Sequence, residues 1–245
     1  MVNWLKNHPF AVETYFESSI VLTYAIAKEE VQSLIPDCLE LDTFDDKWAF
    51  IALAMVNTKA LRPKGFPTVL GNDFFLIGYR VFVRYTNKRG KRLRGLYILK
   101  SETNKSKMSF FGNIFTHYNY STTDINYKKE GEQLIIQSIN SGLDVTVNTG
   151  TEETALPENS PFTNWKEARR FAGPLPFTFT VNEEKKEVLI IEGVRQNWQP
   201  QPLQVEKEKV AFVENKGFKN IQLANAFVVS DIPYCWKKGK VERWN

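Results

Sequence analysis

Apolar and polar residues alternate along most of this chain, and a period of two predicts a mainly β protein with few helices. Strands are predicted at residues 19–27, 39–44, 48–59, 74–86, 93–103, 118–128, 132–139, 143–147, 177–181, 187–195 and 221–229. Short turn sequences join many neighbouring strands, which indicates antiparallel hairpins. Because so many strand edges need partners, we expect a barrel or a highly bent sheet.

Helical spacing of apolar residues is confined to short segments between strands. Helices are predicted at 28–35, ended by Pro36; from an N-cap at Asn104 onward; and at 163–172, ended by Gly173 and Pro174. No internal repeat is visible, and the loop-like stretch 150–161 is too short to mark a domain boundary. We therefore predict one α+β domain over residues 1–245, with the helices flanking the sheet.

The composition is that of a compact globular protein. The 245 residues are 42% hydrophobic and 13% aromatic, which supplies the apolar area of a folded core. The longest apolar run, 48–56, is shorter than the roughly 20 residues of a membrane span. The amino end has neither an apolar core nor a small-residue cleavage site, so a cytoplasmic location is predicted.

Several chemistries are disfavoured by what the sequence lacks. It has two histidines, two distant cysteines and no C-x-x-C pair, so no zinc site is predicted, although oxygen ligands for a metal stay open. The sequences G-x-G-x-x-G, G-x-S-x-G and the P-loop are absent. We therefore predict no metal and no cofactor.

Positive charge is concentrated around one predicted hairpin. Residues 84–107 hold nine Lys and Arg against Glu102 alone, a net charge of +8, while the whole chain is +4. A solvated turn whose charges discourage edge pairing explains this cluster better than a contact with a phosphate backbone. No nucleic-acid partner is predicted.

The strand after this hairpin carries the first candidate for chemistry, Lys100. Strict alternation places one set of residues on a single face: Arg94, Leu96, Ile98, Lys100 and Glu102. At the end of a buried face, desolvation would lower the pKa of Lys100 and favour a nucleophilic amine, while Glu102 would stabilise the ammonium form. The alternative is a lysine with a buried stem whose ammonium reaches Glu102 or water.

The preceding strand carries two arginines on an otherwise apolar face, Arg80 and Arg84. They indicate either the lining of an anion-binding pocket or outward salt bridges. Whether Arg80 faces Lys100 depends on the hairpin register, since a slip of one residue inverts every side chain.

A polar and aromatic run follows the second predicted helix. His117 could act as a general acid or base near neutral pH, or it could form structural hydrogen bonds. Tyr118 and Asn119 could orient a small ligand or satisfy buried strand ends. The tail 231–236 is bulky and apolar, which predicts a lid or a homodimer contact.

Four sequence stretches in the first half of the chain occur in an order that is also found in a known protein family. They are 35–42, from Ile-Pro to Leu-Asp; 48–56; 62–67, Arg-Pro-Lys-Gly-Phe-Pro; and 79–83, Tyr-Arg-Val-Phe-Val. With these motifs, the strand 95–103 and the helix 167–171, the chain resembles the YqjF-like uncharacterised family of the acetoacetate decarboxylase-like superfamily. The resemblance implies an antiparallel β-barrel or cone with a central cavity and flanking helices.

For the decarboxylase branch, the resemblance also implies a lysine that forms a Schiff base with a β-keto acid, helped by a second lysine, an arginine and glutamates. Lys100 falls near the register of that lysine. The Pro-Lys-Lys sequence is absent, and Leu76 stands where members commonly have a glutamate.

Together, these features predict a cytoplasmic protein whose barrel cavity binds a small anionic organic molecule, such as a carbonyl acid. A decarboxylase-like or related lyase step is left open. The predicted catalytic residues are Lys100, His117 and Glu102; the predicted substrate-binding residues are Arg80, Tyr118, Asn119 and Arg62. The alternative is a non-catalytic domain that binds a small molecule or a protein, in which these residues are structural.

Overall fold

A computed structural model describes residues 5–150, 154–171 and 175–244 of the protein. The strands are β1 (Val12–Ala27), β2 (Glu40–Leu41), β3 (Trp48–Pro63), β4 (Asn72–Thr86), β5 (Arg92–Thr103), β6 (Tyr120–Thr122), β7 (Asn126–Glu130), β8 (Gln133–Ser138), β9 (Leu143–Asn148), β10 (Phe177–Asn182), β11 (Glu187–Arg195), β12 (Gln201–Pro202), β13 (Gln204–Val210), β14 (Ile221–Trp236) and β15 (Lys240–Arg243). The helices are α1 (Lys28–Val31), α2 (Ser106–Phe115), α3 (Trp165–Phe171) and α4 (Ala211–Glu214), with 3-10 turns at Leu5–Asn7, Gln32–Leu34 and Thr68–Leu70.

The largest sheet curls into a ring. Its strands follow the order β14, β1, β3, β4, β5, β10 and β11, and β11 pairs again with β14. Neighbours around this ring are antiparallel except β5 and β10, which run parallel. The predicted mainly β fold, with a strongly bent sheet and a few helices, is confirmed.

Two apolar cores lie on the two faces of this sheet. On the outer face, a second sheet in the order β13, β9, β8, β7 packs Val145 and Val147 into one buried cluster with Leu53 of β3. On the inner face, the rings of Phe50 and Phe162 stack with centroids 5.6 Å apart in the other cluster. Both faces of β3 and β4 are therefore covered, which explains their almost continuous apolar sequence.

Strands differ from the prediction where simple alternation fails. β1 and β14 pair along almost their whole length, from Val12 opposite Trp236 to Ile26 opposite Ile221. β1 therefore begins before the predicted residue 19, and β14 ends after the predicted residue 229. At Asp231 the strand continues with a left-handed φ of 58°, and the carboxylate there accepts a hydrogen bond from the hydroxyl of Tyr15. The apolar tail is thus a strand of the ring rather than a lid. The homodimer stays a prediction.

The helices match the prediction more closely at their centres than at their ends. α1 passes into a 3-10 turn before Pro36, and α2 begins at Ser106. Asn104 does not cap α2: its side-chain oxygen accepts the Phe75 N–H at 2.9 Å, which ties the end of β5 to β4. The predicted end of the third helix, at Gly173 and Pro174, lies outside the described residues.

Candidate functional site

A β-bulge in β5 decides which side chains face the inside of the ring. Tyr79 lies opposite Lys100, while Arg80 lies opposite Ile98, so Leu99 is an extra residue in β5. Directly opposed residues of an antiparallel pair share a face, and therefore Lys100 and Arg80 lie on opposite faces. The register left open by the sequence is thereby decided: the bulge inverts the alternation beyond Ile98, so Lys100 does not face the side of the sheet that carries Arg80.

Arg80 lies on the inner face. A pocket of about 60 Å³ is lined there by residues of β1, β3, β4, β5, β11 and β14, including Arg80, which places it inside the ring. The Arg80 guanidinium lies over Gly78. A Cβ atom at position 78 would lie only 3.1 Å from Arg80 Nε, so a residue with a side chain there would crowd the guanidinium. That Nε is buried without a hydrogen-bond partner, and burial lowers the pKa of Arg80.

Arg195 reaches the same interior from β11. It lies opposite Tyr234 where β11 meets β14, and its guanidinium carbon is 4.7 Å from the centre of the Trp198 ring, a cation–π geometry. Its Nη2 is buried without a hydrogen-bond partner, and burial lowers the pKa of Arg195. Sequence analysis missed this residue. The sequence showed only a single arginine at the end of an apolar strand. Arg195 reaches the interior because β11 pairs with β14 and closes the ring, and the sequence alone does not show this pairing.

Three tyrosines complete this inner group. The guanidinium carbon of Arg195 lies 5.6 Å from the centre of the Tyr234 ring, and the rings of Tyr118 and Tyr120 lie 6.3 Å apart. All three tyrosines are near enough to Arg80 to raise its pKa against the larger effect of burial. We name the group the arginine–tyrosine cluster: Arg80, Arg195, Tyr118, Tyr120 and Tyr234. Burial raises the pKa of Tyr118 and raises the pKa of Tyr120 to about 12. Both hydroxyls are therefore neutral at pH 7 and able to donate hydrogen bonds. Two positive charges beside neutral donors are suited to an anion.

Two other arginines of the same sheet face have an acidic partner. Arg84 contacts the carboxylate of Asp42, and Arg94 donates its Nε–H to Asp42 Oδ2 at 2.6 Å. Within the described ranges, no acidic side chain forms a salt bridge with Arg80 or Arg195. Arg80 and Arg195 therefore have no described acidic partner of the kind that Asp42 provides for Arg84 and Arg94.

A larger pocket of about 300 Å³ adjoins the cluster, and we name it the apolar pocket. Its walls come from α2, the end of β3, the start of β4 and residues 8–12. Phe74 and Leu76 line it from the same face of β4 that carries Arg80. Tyr118 and Tyr120 also line it, so these two residues belong to both the pocket and the cluster.

Lys100 and Glu102 meet on the outer face. Lys100 Nζ lies 2.7 Å from Glu102 Oε1, so the predicted contact between them is present. The buried Glu102 carboxylate also accepts a hydrogen bond from Ser141 Oγ at 2.8 Å. Lys100 borders an open groove with Phe212, whose ring stacks on Tyr79 with centroids 4.0 Å apart. Catalytic roles for Lys100 and Glu102 stay predictions.

His117 and Asn119 flank Tyr118 in the chain, but neither lines the inner pocket of Arg80 or the groove beside Lys100. His117 is half-buried and borders a separate small pocket beside β10 and β11, where burial and then the charge of Lys6 lower its pKa. Asn119 is exposed and has a left-handed φ of 50° in the turn before β6. Of the predicted residues, only Tyr118 joins Arg80 in the cluster.

Arg62 lines the apolar pocket with a guanidinium that is already engaged. Its Nη2 lies 2.8 Å from Glu13 Oε1, and its Nε and Nη1 donate to the carbonyl oxygens of Phe66 and Ala60 at 2.8 Å. These contacts hold the end of β3 against β1. The predicted role of Arg62 in binding a substrate stays a prediction.

The described residues contain no group of three or more His, Cys, Asp and Glu side chains arranged to hold a metal ion. In the same part of the chain, none of the helices has the length and apolar character needed to cross a membrane. The cytoplasmic location and the single domain stay predictions of the sequence.

The ring-shaped sheet places the protein in a known structural class. The structure is similar to acetoacetate decarboxylase from Legionella pneumophila subsp. pneumophila str. Philadelphia 1, with a TM-score of 0.61 and 13% identity over 99% of this chain and 91% of that chain. An acetoacetate decarboxylase-like enzyme from Sphingomonas wittichii RW1 gives 0.57 and 10% over 98% and 95%. The enduracididine biosynthesis enzyme MppR complexed with pyruvate gives 0.55 and 8% over 95% and 90%. The fold is therefore acetoacetate decarboxylase-like.

Residues 15–236 match the family DUF2071, described as an uncharacterised conserved protein. The chain belongs to this family, and the predicted relation to an uncharacterised acetoacetate decarboxylase-like family is confirmed. A comparison with curated proteins finds no match.

Proposed function

We propose that this protein binds a small organic carboxylate inside the ring, with the arginine–tyrosine cluster holding the carboxylate group. One observation carries the proposal: Arg80 and Arg195 each have a buried guanidinium nitrogen without a hydrogen-bond partner, and no described acidic side chain pairs with them. A buried polar nitrogen without a hydrogen-bond partner costs about 1–3 kcal/mol. A bound carboxylate offsets that cost by supplying the missing partner.

The chemistry of the cluster fits a carboxylate in particular. Two guanidinium groups present planar pairs of donors, and a carboxylate accepts about four hydrogen bonds through its two oxygens. The neutral hydroxyls of Tyr118 and Tyr120 add donors without adding negative charge. The structural neighbour MppR, in complex with pyruvate, supports a small carbonyl acid as the first probe.

Calorimetric titration with pyruvate and acetoacetate tests this function. Arg80→Gln and Arg195→Gln should each weaken binding by about ten- to a hundredfold, since a hydrogen bond to a charged group contributes about 1.5–3 kcal/mol. Arg92→Gln is the matched control, because that arginine lies on the surface and pairs with Glu40 at 2.5 Å. Absence of binding at millimolar concentrations of either acid would overturn the proposal, and so would unchanged binding in both cluster variants.

Reductive trapping separates binding from imine chemistry. The proposed site does not use Lys100, which lies on the opposite face from Arg80 and is ion-paired with Glu102. We therefore expect intact-mass analysis to show no adduct on Lys100 after incubation with pyruvate and borohydride. An adduct that disappears in Lys100→Arg would instead establish Schiff-base chemistry at the lysine implied by the sequence resemblance.

A further inference from the structure

Building on the proposed carboxylate binding, we infer that the ligand is an amphiphilic monocarboxylate whose apolar chain occupies the apolar pocket. Its head group contacts the arginine–tyrosine cluster, and its chain extends along the inner face of β4 toward α2. This assignment connects the 300 Å³ pocket to the two unpaired arginines as parts of one site.

The course of β4 brings the two parts close together. Phe74 and Leu76 line the pocket, Gly78 follows on the same face, and Arg80 comes next. The Arg80 guanidinium lies back over Gly78, toward the pocket rather than away from it. Since two residues of a strand span about 7 Å, the charge lies about that far along the strand from the pocket wall at Leu76.

Aromatic residues join the pocket to the cluster. Tyr118 and Tyr120 line the pocket, and both are near enough to Arg80 to raise its pKa. Trp236 also lines the pocket, and its ring lies against that of Tyr234 with centroids 4.5 Å apart. One ligand can therefore place its chain against these rings and its carboxylate beside the hydroxyls and guanidinium groups.

The mouth of the pocket is apolar too. Phe111 of α2 lines the pocket and is 50% exposed, so it lies where the pocket opens. The pocket-lining Pro63 and Asn72 flank a segment of the chain in which Val69 and Leu70 are exposed. Exposed apolar side chains of this kind mark a binding surface and suit the entry of a hydrocarbon chain.

A series of carboxylates of increasing chain length tests directly whether the hydrocarbon chain of the ligand occupies the apolar pocket. Calorimetry with acetate, butanoate, hexanoate and octanoate should show affinity rising about three- to fourfold per methylene, the value for burying a CH₂ group. In Arg80→Gln the affinity for every member should fall, while the dependence on chain length persists. 1-Octanol, which carries the same chain without the charge, should bind at least tenfold more weakly than octanoate.

Two neighbouring phenylalanines provide a matched pair of variants. Phe111→Ser should weaken octanoate binding by about tenfold, because the ring lines the pocket that the hydrocarbon chain occupies. Phe110→Ser is the control: Phe110 is similarly exposed on α2 but does not line the pocket. Equal effects of both variants on octanoate would contradict the assignment of the pocket.

The outcomes distinguish this inference from the function on which it rests. If short carboxylates bind through Arg80 but affinity does not rise with chain length, the amphiphilic ligand is overturned and carboxylate binding stands. If no carboxylate binds, the proposed function itself fails. If octanol and octanoate bind equally and Arg80→Gln has no effect, the pocket takes apolar molecules without the cluster, which also overturns the inference.

Discussion

Asp42→Asn should lower the free energy of unfolding by about 3 kcal/mol. Asp42 is fully buried between Arg84 and Arg94, and its carboxylate compensates both guanidinium charges. Removing one partner from a buried ion pair costs about 3–5 kcal/mol. We take the lower value because the arginine side chains remain 24% and 35% exposed. The midpoint of thermal unfolding should fall by roughly 6–12 °C in a chain of this length.

Glu40→Gln is the matched control for this variant. Glu40 belongs to the same segment and pairs with Arg92 at 2.5 Å, but both side chains are 56% exposed. Exposed ion pairs contribute about 0–1 kcal/mol, so this variant should unfold almost as the parent does. Urea titrations followed by tryptophan fluorescence measure both. Similar losses in the two variants would show that burial of Asp42 does not decide its contribution.

Much of the fold is predictable because alternation reports which face of a strand is buried. It located β3, β4 and β11 well, since each carries large apolar side chains along most of its length. It missed β13, Gln204–Val210, because that strand is rich in charge and largely exposed at the edge of the smaller sheet. It ended β14 too early, because a left-handed Asp231 and a proline inside a strand read as a turn.

The site was harder to predict than the fold, for two physical reasons. A single extra residue, Leu99, moves Lys100 from the face of Arg80 to the other face, and no local sequence signal marks that bulge. Arg195 and Tyr234 come together only because β11 and β14 close the ring. The sequence did identify Arg80 and Tyr118 as candidate binding residues, and the fold brings these two residues into one cluster.

The inner face thus contains two kinds of arginine with opposite consequences for stability. Arg84 and Arg94 are compensated by Asp42, whereas Arg80 and Arg195 have no described acidic partner. Residues that bind a ligand are commonly unfavourable for the free fold, because their polar groups await that ligand. Stability measurements can therefore identify the binding arginines without knowledge of the natural ligand.

Arg80→Met should accordingly raise the free energy of unfolding by about 1 kcal/mol and weaken pyruvate binding at least tenfold, since it removes a buried nitrogen that has no hydrogen-bond partner. Methionine is flexible enough to follow the course of the arginine stem over Gly78. Arg94→Met is the control of opposite sign, because it removes a partner of the buried Asp42 and should destabilise the protein. If urea titration shows that Arg80→Met destabilises the protein as Arg94→Met does, Arg80 is a structural residue and the carboxylate site loses its main support.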